Sequence, residues 1–230
     1  VPSGPVLLAL ESPEIWKVAI NGTPLDMNGS AGAWVDRCFH RIQLPSDCLR
    51  TGDNWIVMET CFREDCDLEA IYLMGEFGVR LEGVTRILEA LPEKLAIGSL
   101  VEQGLPFYTG KVAYRMDVPQ DCLNRQDLRL HVPHEGTACL NIRVDGASCG
   151  SIAWHPDELE LPPIRSELEV EAVLTRRNAF GPLHLVPPLA PLYGPMHFTT
   201  ENDEYAAECQ LLPSGMMEVP ELRILHKEGP

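Results

Sequence analysis

Apolar and polar residues alternate with a period of two through most of this chain, the pattern of strands with one buried face. The clearest run is Lys111-Val-Ala-Tyr-Arg-Met-Asp-Val118. Val112, Tyr114, Met116 and Val118 share one side, while Lys111, Arg115 and Asp117 fall on the other. Glu167-Leu-Glu-Val-Glu-Ala-Val-Leu174 alternates as cleanly, with Glu167, Glu169 and Glu171 opposite Leu168, Val170 and Ala172. The apolar runs Val6–Leu10, Ile15–Ile20 and Leu68–Met74 have the length of buried strands, and a further strand is expected to begin at Trp55. Val84–Leu91, ended by Pro92, fits a helix or a strand by pattern, and its neighbours favour a strand. No amphipathic helix of useful length stands out.

The turns give these strands an order. Asn21-Gly22 and Asp145-Gly146 each follow a β-rich run and predict two-residue hairpins. The order then repeats across the chain. Leu128–Val132 resembles Val6–Leu10, and Ala138–Val144 with its Asp-Gly resembles Ile15–Ile20 with its Asn-Gly. Trp154–Pro162 resembles Trp34–Pro45, and Glu167–Leu174 resembles Asn54–Thr60. The match is one of element order and turn position, not of identity. Gly104-Leu-Pro-Phe-Tyr-Thr-Gly110 is the joint between the copies. The expectation is an all-β protein of two tandem β-sandwiches, residues 1–103 and 104–230.

A proline-rich loop at 178–195 interrupts the second copy. Phe180, Leu183, Leu185, Val186, Leu189, Leu192 and Tyr193 make it too apolar for a free linker, so it is expected to fold over the sandwich. Phe180 should be buried there, with Gly181 giving backbone room at the turn.

Composition narrows the function classes. Among 230 residues, 18 are basic and 34 acidic, a net charge of −16. The imbalance is even, with 8 basic and 16 acidic residues before Gly104 and 10 and 18 from it onward. Neither half offers the basic face a nucleic-acid binder needs. No apolar run is long enough for a membrane helix. The eight cysteines form no CxxC and no zinc-type spacing, which favours reduced thiols in a cytoplasmic protein. The chain opens Val1-Pro-Ser-Gly-Pro, without Met or a signal-peptide block, and is expected to be a fragment.

Candidate chemistry is sparse. The Glu167, Glu169 and Glu171 row is expected to be a solvated strand face, and Asp157 and Glu158 lie in a turn. His131 and His134, an odd number of positions apart around Pro133, should point in different directions. His184 and His197 flank the proline-rich loop, where bonding to backbone carbonyls is the expected role. No metal site, cofactor fingerprint or catalytic residue is assigned. Of the four tryptophans, Trp16 and Trp55 are expected in the core. Trp34 and Trp154 follow loops at matching places in the two copies, Trp34 beside Asp36 and Arg37, Trp154 beside His155 and Asp157. Either indole could be a stacking platform for a sugar ring, or could be buried at a corner of its sandwich.

The Asn-Gly and Asp-Gly turns after strands, the Leu-Pro stop and the Gly52-Asp-Asn54 turn resemble the galactose-binding-domain-like jelly roll. The joint Gly104–Gly110 and Arg177-Asn-Ala-Phe-Gly-Pro-Leu-His184 are similar to the C-terminal β-sandwich region of large glycoside hydrolases, including α-L-rhamnosidase-like and family 2-like proteins. The resemblance implies two tandem jelly rolls serving as a non-catalytic accessory module that binds or frames a saccharide. In such enzymes the catalytic carboxylates belong to a separate domain of the same polypeptide. It also implies that the first sandwich lacks an opening strand before Val6. A purely structural module that binds no sugar, and a free-standing hydrolase, are the competing classes.

Overall fold

The computed structural model describes residues 1–64, 66, 69–189 and 192–225. Among them most of the expected strands are present, and all paired strands are antiparallel. The run Leu68–Met74 is strand only at Tyr72–Met74, with Leu68 outside the described residues. Tyr205–Leu212, also expected as a strand, holds only an isolated bridge at Tyr205. The longest described helix is one turn, α1, Arg177–Phe180. The chain divides into two units, one of residues 1–78 and 88–91, the other of 79–87 and the residues from 92 onward.

The first unit contains β1 (Leu7–Glu11), β2 (Lys17–Ile20), β3 (Thr23–Pro24), β4 (Ser30–Trp34), β5 (Asp36–Gln43), β6 (Ile56–Glu59) and β7 (Tyr72–Met74). They form a sheet in the order β4-β5-β1-β7 and a smaller one in the order β3-β2-β6. Leu8, Leu10 and Ile42 from the first sheet pack with Val18 and Ile20 from the second in one core, which also takes Trp16. A two-stranded hairpin follows, β8 (Gly78–Glu82) and β9 (Thr85–Glu89), so Val84–Leu91 is a strand over most of its length.

The second unit contains β10 (Lys111–Met116), β11 (Leu128–His131), β12 (Cys139–Val144), β13 (Ala147–Ile152), β14 (Glu158–Leu161), β15 (Leu168–Val173) and β16 (Glu221–Ile224). Its sheets run β10-β15-β12-β13 and β14-β11-β16. Leu128, Leu130 and Leu161 from one sheet share a core with Leu140, Ile142, Leu168 and Val170 from the other. Residues 92–103, assigned above to the first sandwich, contribute Leu95, Ile97 and Leu100 to this second core. The Gly98 and Leu100 N–H groups donate to the carbonyls of Met216 and Ser214.

The internal repeat is visible in the pairing. β1 lies between β5 and β7 as β11 lies between β14 and β16, and β2 lies between β3 and β6 as β12 lies between β13 and β15. The turns correspond atom for atom. Asn21 and Gly22 have φ of 51° and 87°, Asp145 and Gly146 have 48° and 79°, the left-handed pair a two-residue hairpin requires. The Asn21 N–H donates to the Trp55 carbonyl, and the Trp55 N–H returns to Asn21 Oδ1 at 2.9 Å. In the second unit the Asp145 N–H donates to the Glu167 carbonyl, and the Glu167 N–H returns to Asp145 Oδ1 at 3.0 Å. Asp145 also accepts from the N–H groups of Arg165 and Ser166. These backbone donors lower its carboxyl pKa to about 2.

The glutamate row is a polar sheet face, as the alternation required. Glu171 accepts from Asn141 at 2.9 Å and from Lys111 at 3.1 Å, and these bonds hold its carboxyl below the usual range. Glu169 lies between Arg115 and Arg143, both at 3.9 Å.

The proline-rich loop departs in part from expectation. Asn178, Ala179 and Leu185 are buried, and the Asn178 side chain bonds both the carbonyl and the N–H of Leu212. Phe180 is only half-buried, and Leu189 and Leu192 are 67% and 78% exposed. The loop is therefore tied down at Asn178, Ala179 and Leu185, and the Tyr193 hydroxyl donates to the Pro188 carbonyl at 2.7 Å. Gly181 is required by close approach, because a Cβ there would lie 2.6 Å from the Arg177 carbonyl oxygen. The His184 Nδ1 donates to the Ala206 carbonyl at 2.9 Å, the backbone role expected of it.

Candidate functional site

The strongest grouping of polar side chains around an exposed ring lies in the second unit, in the loop between β13 and β14. Ile152 ends β13 as a buried residue, and Glu158 begins β14 by pairing with His131 of β11. The five residues between must cross from one sheet to the other. Trp154 is carried outward in that crossing and is 75% exposed. Asp157 is carried inward and is 7% exposed, with its carbonyl taking the Val132 N–H at 2.9 Å.

The Asp157 carboxylate is shared by two imidazoles. Its Oδ1 is 2.6 Å from His134 Nδ1 and its Oδ2 is 2.8 Å from His155 Nδ1. The two rings meet edge to face with centroids 5.6 Å apart. Burial pushes the Asp157 pKa up, but the His134 hydrogen bond and the two imidazole charges outweigh it, so the net displacement is downward. His134 is itself fixed, because its carbonyl accepts from both the N–H and the hydroxyl of Thr137, a buried residue. The result is an exposed indole next in sequence to an exposed imidazole whose Nδ1 is held by an ionised carboxylate. Such a surface offers an apolar face with donors and acceptors at its rim.

The next residue belongs to a different set. Glu158 is committed to Arg129 at 3.0 Å and Arg223 at 3.1 Å, with His131 Nδ1 at 3.9 Å. His131 and His134 thus serve separate carboxylates, as strand alternation predicts. No group of three or more His, Cys, Asp or Glu suited to a metal occurs among the described residues. All eight cysteines are free thiols.

The matching corner of the first unit is built differently. Trp34 ends β4, half-buried, and packs edge to face on Tyr72 and Phe39 at centroid distances of 5.2 and 6.0 Å. Asp36 and Arg37 open β5 and are exposed. The Asp36 carboxyl is held below the usual range by the backbone N–H groups of Cys38 and Arg37. The six sequence candidates therefore divide into an open platform at Trp154, His155 and Asp157 and an aromatic cluster at Trp34 flanked by Asp36 and Arg37. His134 was not grouped with them by sequence. The signal available was its position just beyond a strand end, where a turn can face a neighbouring loop.

Trp55 corrects another expectation. It is not in the core but 68% exposed, with Val57 at 49% and Phe62 at 83% nearby in sequence. Glu59, four positions on, marks the solvent face that Trp55 and Val57 share with it. Trp16 is buried as expected.

The chain is thus an all-β protein of antiparallel sheets. No protein-family model matches it, and a search of curated proteins returns no match. No described helix is long and apolar enough to cross a membrane.

Proposed function

We propose that this chain is a non-catalytic accessory module, a tandem pair of jelly-roll β-sandwiches of galactose-binding-domain-like type, that holds a saccharide for a glycoside hydrolase domain of the same polypeptide. The observation that carries the reading is the Trp154 indole, 75% exposed beside a His155 ring fixed by Asp157. A sugar ring suits an apolar face with polar groups at its rim. The duplicated strand order and the Asp-Gly and Asn-Gly hairpins support the fold assignment. The separation of Asp157 and Glu158 onto different partners favours binding over hydrolysis, since paired carboxylates acting on a glycosidic bond must face a common space.

A glycan array followed by calorimetry on the best ligand tests this. Trp154→Ala should abolish measurable binding, with the fold unchanged. Trp34→Ala should leave binding within about twofold. An array with no ligand, or a ligand retained in full by Trp154→Ala, sinks the proposal and leaves a module that only packs on or joins other protein.

A further inference from the structure

The internal repeat shows one seat filled in the second unit and, among the described residues, without a strand in the first. In the second unit β15 is a central strand, paired with β12 on one side and β10 on the other. In the first unit its counterpart β6 pairs with β2 alone among the described residues. The matched hairpin bonds align the two strands residue by residue. Ile56 corresponds to Leu168, Val57 to Glu169, Met58 to Val170 and Glu59 to Glu171.

Burial differs along that correspondence in the way a missing neighbour requires. Leu168 and Val170 are 1% and 0% exposed. Ile56 and Met58 are only half-buried, and Val57 is 49% exposed. The backbone is equally asymmetric. Because Asn21 and Trp55 form a hydrogen-bonded pair, the antiparallel pattern directs the N–H and C=O of Val57 and Glu59 to β2. Those of Ile56 and Met58 point the other way, along the open edge. At the same places in the second unit, Leu168 and Val170 face β10, opposite Met116 and Tyr114. An open edge of this kind is a template for another strand.

We infer that β6 is a docking edge for one extended polypeptide strand from outside this chain, added antiparallel as β10 is added to β15. The filled seat defines its chemistry. Apolar residues stand opposite Ile56 and Met58, and a Lys or Arg on the alternate face reaches Glu59, as Lys111 reaches Glu171 at 3.1 Å. Charge favours such a strand, since the chain carries −16 and Glu59 is exposed at the edge. Backbone bonds supply affinity in this mode, and alternate side chains supply selection.

The test is amide hydrogen exchange by NMR on the full chain, with and without a capped peptide of the sequence Thr109–Val118. In the free protein the Val57 and Glu59 amides should exchange slowly and those of Ile56 and Met58 fast. With peptide, all four should be slow, while Leu168 and Val170 stay protected throughout. Glu59→Gln, an exposed substitution that removes the charge without setting a like charge opposite Lys17 of β2, should weaken the peptide about two- to fivefold. No new protection at Ile56 and Met58 at saturating peptide would overturn the inference. Protection of both amides without peptide, together with concentration-dependent sedimentation, would overturn it too, because a second copy would then hold the edge.

Discussion

Replacing Asp157 by Ala removes the one group that ties His134 and His155 together, and its cost can be worked from the geometry. The bond to His134 is 2.6 Å long between side chains 7% and 21% exposed, so it is little screened. A charge-assisted hydrogen bond in that setting contributes about 1.5–3 kcal/mol. The bond to His155, whose side chain is 76% exposed, adds only about 0.5 kcal/mol after solvent screening. The expected loss is therefore about 2–3.5 kcal/mol at neutral pH, read as the shift in urea midpoint at unchanged slope. The main-chain bond from the Val132 N–H to the Asp157 carbonyl survives the substitution, so the edge of β14 should persist. The sign of the pH dependence follows from the lowered carboxyl pKa. The stabilisation is complete above the unfolded value of about 3.9 and disappears as pH falls through the lower folded value. Wild type and Asp157→Ala should therefore converge in acid. A cost below about 0.5 kcal/mol at pH ~7, or an undiminished cost at pH ~2, would refute the assignment of a hydrogen-bonded, ionised Asp157 carboxylate in the folded state.

Two further outcomes follow from burial. Leu168→Ala should cost about 2–5 kcal/mol in chemical denaturation, whereas Ile56→Ala at the corresponding place should cost roughly half as much, and equal losses would contradict the open edge at β6. Phe180→Ala should cost about 1–2 kcal/mol instead of the 3–5 of a fully buried ring, and limited proteolysis should cut first near Leu189 and Leu192. Initial cleavage elsewhere would show that the exposed part of the loop is better held than its exposure implies.

The fold was legible where a rule is local. A period of two needs only neighbouring residues, so β10 and β15 could be placed from Val112–Met116 and Leu168–Ala172 alone. The hairpins at Asn21-Gly22 and Asp145-Gly146 were legible because few residues accept the left-handed pair of conformations. What could not be read was the set of residues each core recruits from a distance. Leu95, Ile97 and Leu100 look like the tail of the first copy because they precede the Gly104 joint. They pack instead with the second core, where Met216 and Ser214 satisfy the backbone of Gly98 and Leu100. Phe180 failed for a related reason. Its apolarity was visible, but Asn178 and Ala179 occupy the interior positions of that turn, and one short helical turn cannot bury every side chain it carries.

The four tryptophans show how this limit reaches the candidate site. By strand pattern Trp16 and Trp55 looked alike, and by position Trp34 and Trp154 looked alike. The structure pairs them otherwise, with Trp16 buried, Trp34 half-buried, and Trp55 and Trp154 exposed. Alternation divides a strand into two faces, but the complete sheet decides which face is dry. For Trp55 the deciding neighbour was Glu59, which places the ring on the solvent side of β6. For Trp154 it was Asp157, whose inward turn toward His134 sends the rest of the loop outward. Each exposed indole therefore shares its strand or loop with a carboxylate, Trp55 with Glu59 on the solvent face of β6 and Trp154 with Asp157, which holds the two imidazoles. The chemistry open to each follows from that neighbour. On the proposals above, the edge of β6 would select a strand, and the Trp154 indole a ligand with an apolar face and hydroxyls.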